Sequence, residues 1–217
     1  MPTDLSTGIR LTPEDYLLTP DEVWARYQEI GGEDEAREWL RDNDIDPDPV
    51  FAALGSVKVV KVMTSHDRDL GVTTASGLVH ELDDKGFEAL AFPVHQDGAF
   101  ADLVLLDLDS PGRAARVLHA IDWLGEENIK GTVRLHVGPL DWLAAGCTGC
   151  CSIHPYQRGH MRALRRADAI LCDDIALALE CWEWGFGAHD EDLAKFLIDD
   201  DPESVADYFR RSAGYLA

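Results

Sequence analysis

The chain has 217 residues, of which 46% are hydrophobic and 28% are charged, values typical of a globular protein with a sizeable core. Its formal net charge of −22 at pH 7 argues against nonspecific binding to nucleic acid or to anionic membranes. Apolar runs of membrane-spanning length and a signal peptide are both missing from the sequence, so we expect a cytoplasmic protein, and the five cysteines predict reduced thiols.

The acidity has three interpretations. An Asp-rich, Lys-poor composition is typical of proteins from organisms with acidic or salt-adapted proteomes. Carboxylates on the surface are also suited to binding a basic protein partner. DNA mimicry is the third interpretation, and it is the least favoured because the acidic residues are spread through the chain.

The first 49 residues predict an arm followed by helices. Residues 1–18 show no sustained hydrophobic period and predict an extended arm. Thr19 begins a helix because Pro follows it and Glu stands three residues later, which is a capping box. A second helix is predicted over 33–41, and the Asp/Pro-rich segment 42–49 predicts a turn or linker.

Strand patterns follow. Residues 57–63 and 88–94 predict strands, and Pro93 indicates that the second strand ends there or lies at a sheet edge. A turn at 95–98 predicts a hairpin between 88–94 and the buried strand 101–107. After that strand, Ser110 as a cap and Gly125 as a terminator predict an amphipathic helix between them.

Strands and helices alternate in the rest of the core, which implies a parallel arrangement. The predicted segments are strand 132–137, helix 139–145, strand 149–153, helix 154–167, strand 169–172 and helix 175–184. Two further helices close the chain, the second from Asp201 to Tyr215. The fold class is therefore α/β, a single domain with a mixed, largely parallel sheet flanked by helices: an N-terminal arm and helical segment (1–49), an α/β core (50–187) and C-terminal helices packed on the core (188–217).

The cysteines and histidines between 146 and 160 are the richest group of reactive side chains. Cys147, Cys150, Cys151 and His154 have spacings that zinc sites use, but a second pair of ligands is missing. We therefore expect no bound cofactor, with zinc here as the alternative. Cys147 is a candidate nucleophile, with His154 or His160 as its base.

Asp107 and Asp109 follow a predicted central strand, where open α/β sheets bind ligands, and such a pair is able to hold Mg²⁺ for phosphoryl transfer. The favoured interpretation is that the two aspartates form a turn. Arg158, Arg162 and Arg165 share one predicted helix face and are candidate anion-binding residues. The favoured interpretation is that they neutralise the chain's own carboxylates.

Three segments carry a resemblance: 102–125 with its Asp-Ser-Pro-Gly-Arg turn, 137–155 with Pro-Leu-Asp-Trp-Leu-Ala-Ala-Gly-Cys, and 170–180. The central third of the chain resembles a group of proteins from high-GC alphaproteobacteria whose genes lie near phage-like or mobile-element genes. The resemblance brings no activity and no functional residues. It implies an accessory or regulatory role associated with a mobile element.

The sequence favours a cytoplasmic accessory or interaction protein without catalytic activity. The alternative is a small enzyme of phosphoryl or thiol chemistry that uses Asp107, Asp109 and the 146–160 loop. The helix predicted over 175–184 is apolar on nearly every side, so we also expect a homodimer that buries Trp182 or Trp184.

Overall fold

A computed structural model describes residues 8–11, 19–64, 87–109, 111, 114–118, 120–153, 161–173, 175–186, 194–198 and 201–205. Helices and two β-sheets combine in these residues, which confirms a mixed α/β protein. A single domain around one largely parallel sheet was predicted; the structure instead divides into two compact units, residues 1–121 and 122–217. Among the helices in the described ranges, none has the length and apolar character needed to cross a membrane.

Three helices open the first unit: α1 (Pro20–Glu29), α2 (Glu33–Asp42) and α3 (Pro47–Leu54). The capping box of α1 is confirmed, since the Glu22 carboxylate accepts the Thr19 N–H at 2.8 Å, and these bonds lower the pKa of Glu22. The turn predicted over 42–49 is wrong from Pro47 onward. There the Asp46 carboxylate accepts the Asp48 N–H at 3.1 Å, and this cap begins α3.

The first sheet contains β1 (Gly8–Leu11), β2 (Lys58–Thr64), β3 (Phe87–Gln96), β4 (Ala99–Asp107) and β5 (Ala114–Arg116), in that order. β1 joins β2 in parallel, and the other neighbours are antiparallel. The β3–β4 hairpin is confirmed. Asp97 and Gly98 form its two-residue turn, with φ of 52° and 79°. Pro93 lies beyond Ala91, the last β3 residue paired with β2.

The amphipathic helix predicted between Ser110 and Gly125 is wrong; Ser110 itself lies outside the described residues. β5 occupies part of this segment and pairs with Val104–Leu106 of β4. The physical reason is Asp102, whose side chain is fully buried. Its carboxylate accepts the N–H groups of Leu103, Leu118 and Ala120, each at 2.8 Å. Bonds from residues 118 and 120 to one carboxylate hold this part of the segment in a loop.

The second sheet belongs to the second unit. Its strands are β6 (Trp123–Leu124), β7 (Gly131–His136), β8 (Cys150–Ser152), β9 (Ala167–Cys172), β10 (Phe196–Ile198) and β11 (Asp201–Ser204). Their order is β11-β10-β9-β7-β8-β6. The four inner strands are parallel and the two outer strands are antiparallel to their neighbours. The predicted strands at 132–137, 149–153 and 169–172 are confirmed.

Two helices of this unit match their predictions: α4 (Pro139–Ala144) and α5 (Ile175–Cys181), the latter continued by a π-helical turn to Phe186. Of the helix predicted over 154–167, residues Arg162–Arg166 form a 3₁₀-helix, and 154–160 lie outside the described residues. The C-terminal helices predicted over 188–217 are wrong at Phe196–Ile198, which is β10, and at Asp201–Ser204, which is β11 and pairs with β10. Residues 206–217 lie outside the described part of the chain.

Lys58, at the start of β2, holds the end of α1. The side chain is 6% exposed, and its ammonium donates to the carbonyl oxygens of Tyr27 at 2.9 Å and Ile30 at 2.5 Å. It also lies 4.7 Å from the centroid of the Tyr27 ring. Burial lowers the pKa of Lys58, and the Glu33 carboxylate opposes that shift. The carbonyl oxygens at the C-terminal end of α1 thus receive a buried charged donor, in addition to the Ile30 N–H that the Tyr27 carbonyl accepts.

Tyr27 and Gly32 complete this attachment. The Tyr27 hydroxyl donates to the carbonyl oxygens of Ala91 at 3.0 Å and Ser56 at 3.2 Å. Gly32 has φ +104°, and a Cβ there would lie 2.3 Å from the Val59 carbonyl oxygen, so the loop between α1 and α2 approaches β2 as closely as only glycine allows. The Val59 N–H donates to the Gly32 carbonyl at 2.9 Å.

Replacement of Lys58 by Met keeps most of the length of the side chain and removes its donors. We expect Lys58→Met to lower the free energy of unfolding by about 2–3 kcal/mol, because buried carbonyls of α1 lose a charged partner. Chemical denaturation measures the change. Lys130→Met, at an exposed position, is the control and changes stability by less than about 0.5 kcal/mol. Equal effects of the two substitutions would contradict this role of Lys58.

Candidate functional site

Asp107 and Asp109 lie at the end of β4 in the first sheet. Asp107 is half-buried and accepts the Asp109 N–H through Oδ1 at 3.0 Å, whereas Asp109 is exposed. This is the geometry of an Asx turn, with Asp107 as the residue that makes the bond. The argument that placed a ligand here applies to parallel sheets, and β4 is antiparallel to both of its neighbours.

The rule that open sheets bind ligands at the carboxyl ends of parallel strands applies instead to β7 and β9, which are parallel neighbours. α4 follows β7 toward β8 on one side, and α5 follows β9 toward β10 on the other. The carboxyl ends of β7 and β9 are therefore a topological switch point. Val137, 55% exposed, lies there, and the Arg134 guanidinium meets the Asp173 carboxylate at 3.2 Å. The sequence analysis missed Arg134, Val137 and Asp173, although they lie in or next to two correctly predicted strands.

All five cysteines are buried and none forms a disulfide. Cys150 and Cys151 are neighbours in β8, so their side chains point to opposite faces of the sheet. Cys150 packs in the core that contains Ala178 and Cys181 of α5. Burial, and to a smaller extent Cys150 and the carboxylate of Asp141 in α4, raise the pKa of the Cys151 thiol. The two thiols thus face different helices, which is unfavourable for a shared metal ion.

Burial also makes these thiols weak nucleophiles. It raises the pKa of Cys147, Cys150 and Cys181 to about 12 each, from an ordinary value of 9.0. The pKa of Cys151 is likewise raised by burial. Because the thiolate is the reactive and metal-binding form, Cys147 at neutral pH is in the unreactive form. His154 and His160, its predicted bases, lie outside the described residues. Within the described ranges, no group of three His, Cys, Asp or Glu side chains is placed to hold a metal ion.

The arginine cluster is partly engaged by the protein itself. Arg162 and Arg165 are exposed and lie three residues apart on the 3₁₀-helix, so they share a face; Arg158 lies outside the described residues. Arg165 donates to the Phe186 carbonyl at 3.3 Å. The neighbouring Arg166 pairs with the Glu126 carboxylate at 3.0 Å. The Arg166 contact is with a carboxylate and the Arg165 contact is with a backbone carbonyl, so the neutralising role favoured for the cluster stays a prediction.

The acidic residues are less evenly spread than the sequence analysis held. Residues 19–49, which form α1, α2 and the start of α3, contain eleven Asp and Glu and three Arg. Every one of these eleven carboxylates is on an exposed residue. This segment, 31 of 217 residues, carries −8 of the net charge of −22. We call the exposed side of 19–49 the acidic surface. A count in windows reveals this segment and also residues 190–207, which contain eight Asp and Glu and one Lys.

Comparison of the chain with protein-family models, with curated proteins and with solved structures finds no match.

The raised thiol pKa values predict slow alkylation. With a pKa of about 12, about one thiol in ten thousand is ionised at pH 8, so native Cys147, Cys150 and Cys181 should react with iodoacetamide about a thousandfold more slowly than in the unfolded chain. Mass spectrometry of timed samples measures this. A native cysteine among these three that labels as fast as a free thiol would contradict it.

The same shifts predict how stability depends on pH. The folded thiol pKa values lie above those of the unfolded chain, so the stabilisation is complete below about pH 9 and is lost as the pH rises toward 12. Urea denaturation at pH 7, 8.5 and 10 should show the free energy of unfolding falling only above about pH 9. Cys181→Ala, which removes one of these thiols, should make that fall less steep.

Variants of Asp107 and Asp109 distinguish a structural turn from a site of phosphoryl transfer. Asp107→Ala should lower the free energy of unfolding by about 1 kcal/mol, because its bond to the Asp109 N–H is lost, and Asp109→Ala should change it by less than about 0.5 kcal/mol. Denaturation curves and a phosphatase screen with Mg²⁺ are run on both variants. Hydrolysis of a phosphate ester by the unaltered chain that Asp107→Asn abolishes would establish the enzyme instead.

Proposed function

We propose that the chain is a non-catalytic interaction protein and that the acidic surface binds a basic protein partner. The observation that supports this most is the concentration of eleven exposed carboxylates on residues 19–49. Carboxylates fixed on helices give a patch of one sign, and such patches steer oppositely charged partners and orient them.

The patch is also rigid, which favours binding. α1 is attached to the first sheet through Lys58 and Tyr27, and the loop to α2 is held through Gly32. Part of the surface is already ordered by its own cations, since Arg37 pairs with Asp48 at 3.0 Å and stacks 3.9 Å from the Phe51 ring centroid. Because α1 and α2 are already ordered in the free protein, binding of a partner costs less conformational entropy than it would for a flexible segment.

The alternative, a small phosphoryl or thiol enzyme, has weaker support. Asp107 uses an oxygen on its own turn, and the described thiols have raised pKa values. Neither observation provides an activated nucleophile or base.

The accessory role near a mobile element, the cytoplasmic location and the homodimer remain proposals. In α5, Ala178 and Cys181 are buried, and Ile175, Leu177 and Leu179 pack against the core of the second unit. Much of the apolar surface that suggested a dimer is thus covered within one chain. Trp182 is half-buried, so it retains area for a partner subunit.

The proposal is tested with charge-matched variants. Asp34→Asn, Glu35→Gln and Glu38→Gln together neutralise three exposed carboxylates of α2. We expect this variant to bind a fluorescein-labelled arginine-rich peptide of about 15 residues about tenfold more weakly than the control does, since three exposed charge pairs contribute about 0.2–1 kcal/mol each. Fluorescence anisotropy at low and physiological salt gives the affinities.

The control variant carries the same change elsewhere: Glu127→Gln, Asp168→Asn and Glu183→Gln, all at exposed positions of the second unit. Both variants have the same net charge, so any effect of overall charge on the affinity for the peptide is the same in the two variants. Equal weakening of peptide binding by both would contradict a specific acidic surface. Amide chemical shifts that move within 19–54 on peptide addition would support it.

A further inference from the structure

We infer that Trp24 and Phe100, with His95 at their edge, form an aromatic anchor that takes an arginine or lysine side chain of the partner by a cation–π contact. This inference rests on the proposed function, because it names the point on the first unit at which a basic partner would be held.

The positions of these side chains follow from the local structure. Trp24 lies on α1, one residue after buried Val23. His95 and Phe100 are directly opposed across the β3–β4 hairpin, just before and after its Asp97-Gly98 turn. A bulge between Val94 and His95 shifts the pairing register at this point, and bulges commonly redirect side chains near binding sites.

The three rings form one cluster. The Trp24 and Phe100 centroids are 5.2 Å apart with the planes inclined at 31°, and the His95 ring meets Trp24 edge-on at 5.8 Å and Phe100 edge-on at 6.1 Å. Trp24 and Phe100 are half-buried and pack against the core of the first unit, whereas His95 is exposed. The Trp24 ring also stacks on the Tyr27 ring, with the centroids 5.8 Å apart and the planes at 28°. Trp24 and Phe100 are thus held by the core, and each keeps part of its surface exposed.

The charges around the cluster favour a cation. Asp21 is exposed and stands three residues before Trp24, which places it on the same side of α1. Asp97 is exposed at the tip of the hairpin, two residues from His95. Carboxylates beside aromatic faces add Coulomb attraction to that of the ring quadrupoles for a positive side chain.

The chain makes the same type of contact within itself. Lys58 lies over the Tyr27 ring and Arg37 over the Phe51 ring. Among the residues that the structure describes, no Lys or Arg lies over Trp24 or Phe100 in this way. The Trp24–Phe100 pair is therefore not covered by a described cation, and Phe51 is a matched group that is already covered.

The test replaces aromatic rings by leucine, which retains apolar volume and removes the quadrupole. Phe100→Leu and Trp24→Leu are each expected to weaken binding of the arginine-rich peptide about fivefold, within the range of about twofold to thirtyfold that one cation–π contact supplies. Phe51→Leu is the control and should leave the affinity within about twofold. Trp24→Phe keeps an aromatic ring and should retain most of the affinity.

Circular dichroism and melting curves show which variants are folded. If Trp24→Leu does not fold, the comparison of Phe100→Leu with Trp24→Phe tests the anchor. A second measurement is tryptophan emission, which should change when peptide is added to the unaltered chain and change much less in Trp24→Phe. Unchanged affinity in folded Phe100→Leu, or an equal loss in Phe51→Leu, would overturn the anchor.

The anchor and the proposed function fail in different ways. If the α2 charge variant weakens binding and the aromatic variants do not, the acidic surface stands and the anchor is rejected. If the two charge-matched variants are equally weakened, the acidic surface itself is rejected, whatever the aromatic variants show.

Discussion

The first unit depends on a buried lysine. Lys58 is enclosed between the end of α1 and the sheet, where a charge without partners would be very costly. Its ammonium is stabilised because the carbonyl oxygens of Tyr27 and Ile30 point at it from the negative end of the α1 dipole. The same contact fixes where α1 ends and on which side of β2 it lies. The positions of Trp24 and of the α1 carboxylates on the surface follow from that attachment.

Local chemistry explains what the sequence could predict. The capping box at Thr19 and the Asp97-Gly98 turn each act within four residues, and both are found as expected. The alternation of strands and helices after residue 130 also identified three strands of the second sheet, β7, β8 and β9, and the helices α4 and α5. In these segments the pattern of apolar residues and the turn chemistry agree, so no distant residue is needed to choose the structure.

The helix predicted between residues 110 and 125 is wrong for the opposite reason, because distant residues determine the structure of that segment. Helical spacing of apolar residues is present there, but β4 supplies a partner for Ala114–Arg116, and Asp102 accepts N–H groups from residues 118 and 120. A buried carboxylate acting over 16 to 18 residues leaves no local signal in the sequence. The alternative interpretation of the aspartate pair is weak for the same reason: a ligand at Asp107 was considered because β4 was assigned to a largely parallel sheet, whereas both of its neighbours are antiparallel.

Charge and aromatic rings have complementary roles on the proposed surface. Exposed carboxylates act over about 10 Å at moderate salt, so they accelerate and orient an encounter but discriminate poorly between basic partners. A ring pair fixed on two different elements acts only at contact and requires a cation at one place. Trp24 is held by α1 and Phe100 by the hairpin, and both pack on the same core. Selectivity for one basic partner would therefore come from the geometry of these two elements rather than from the number of acidic residues.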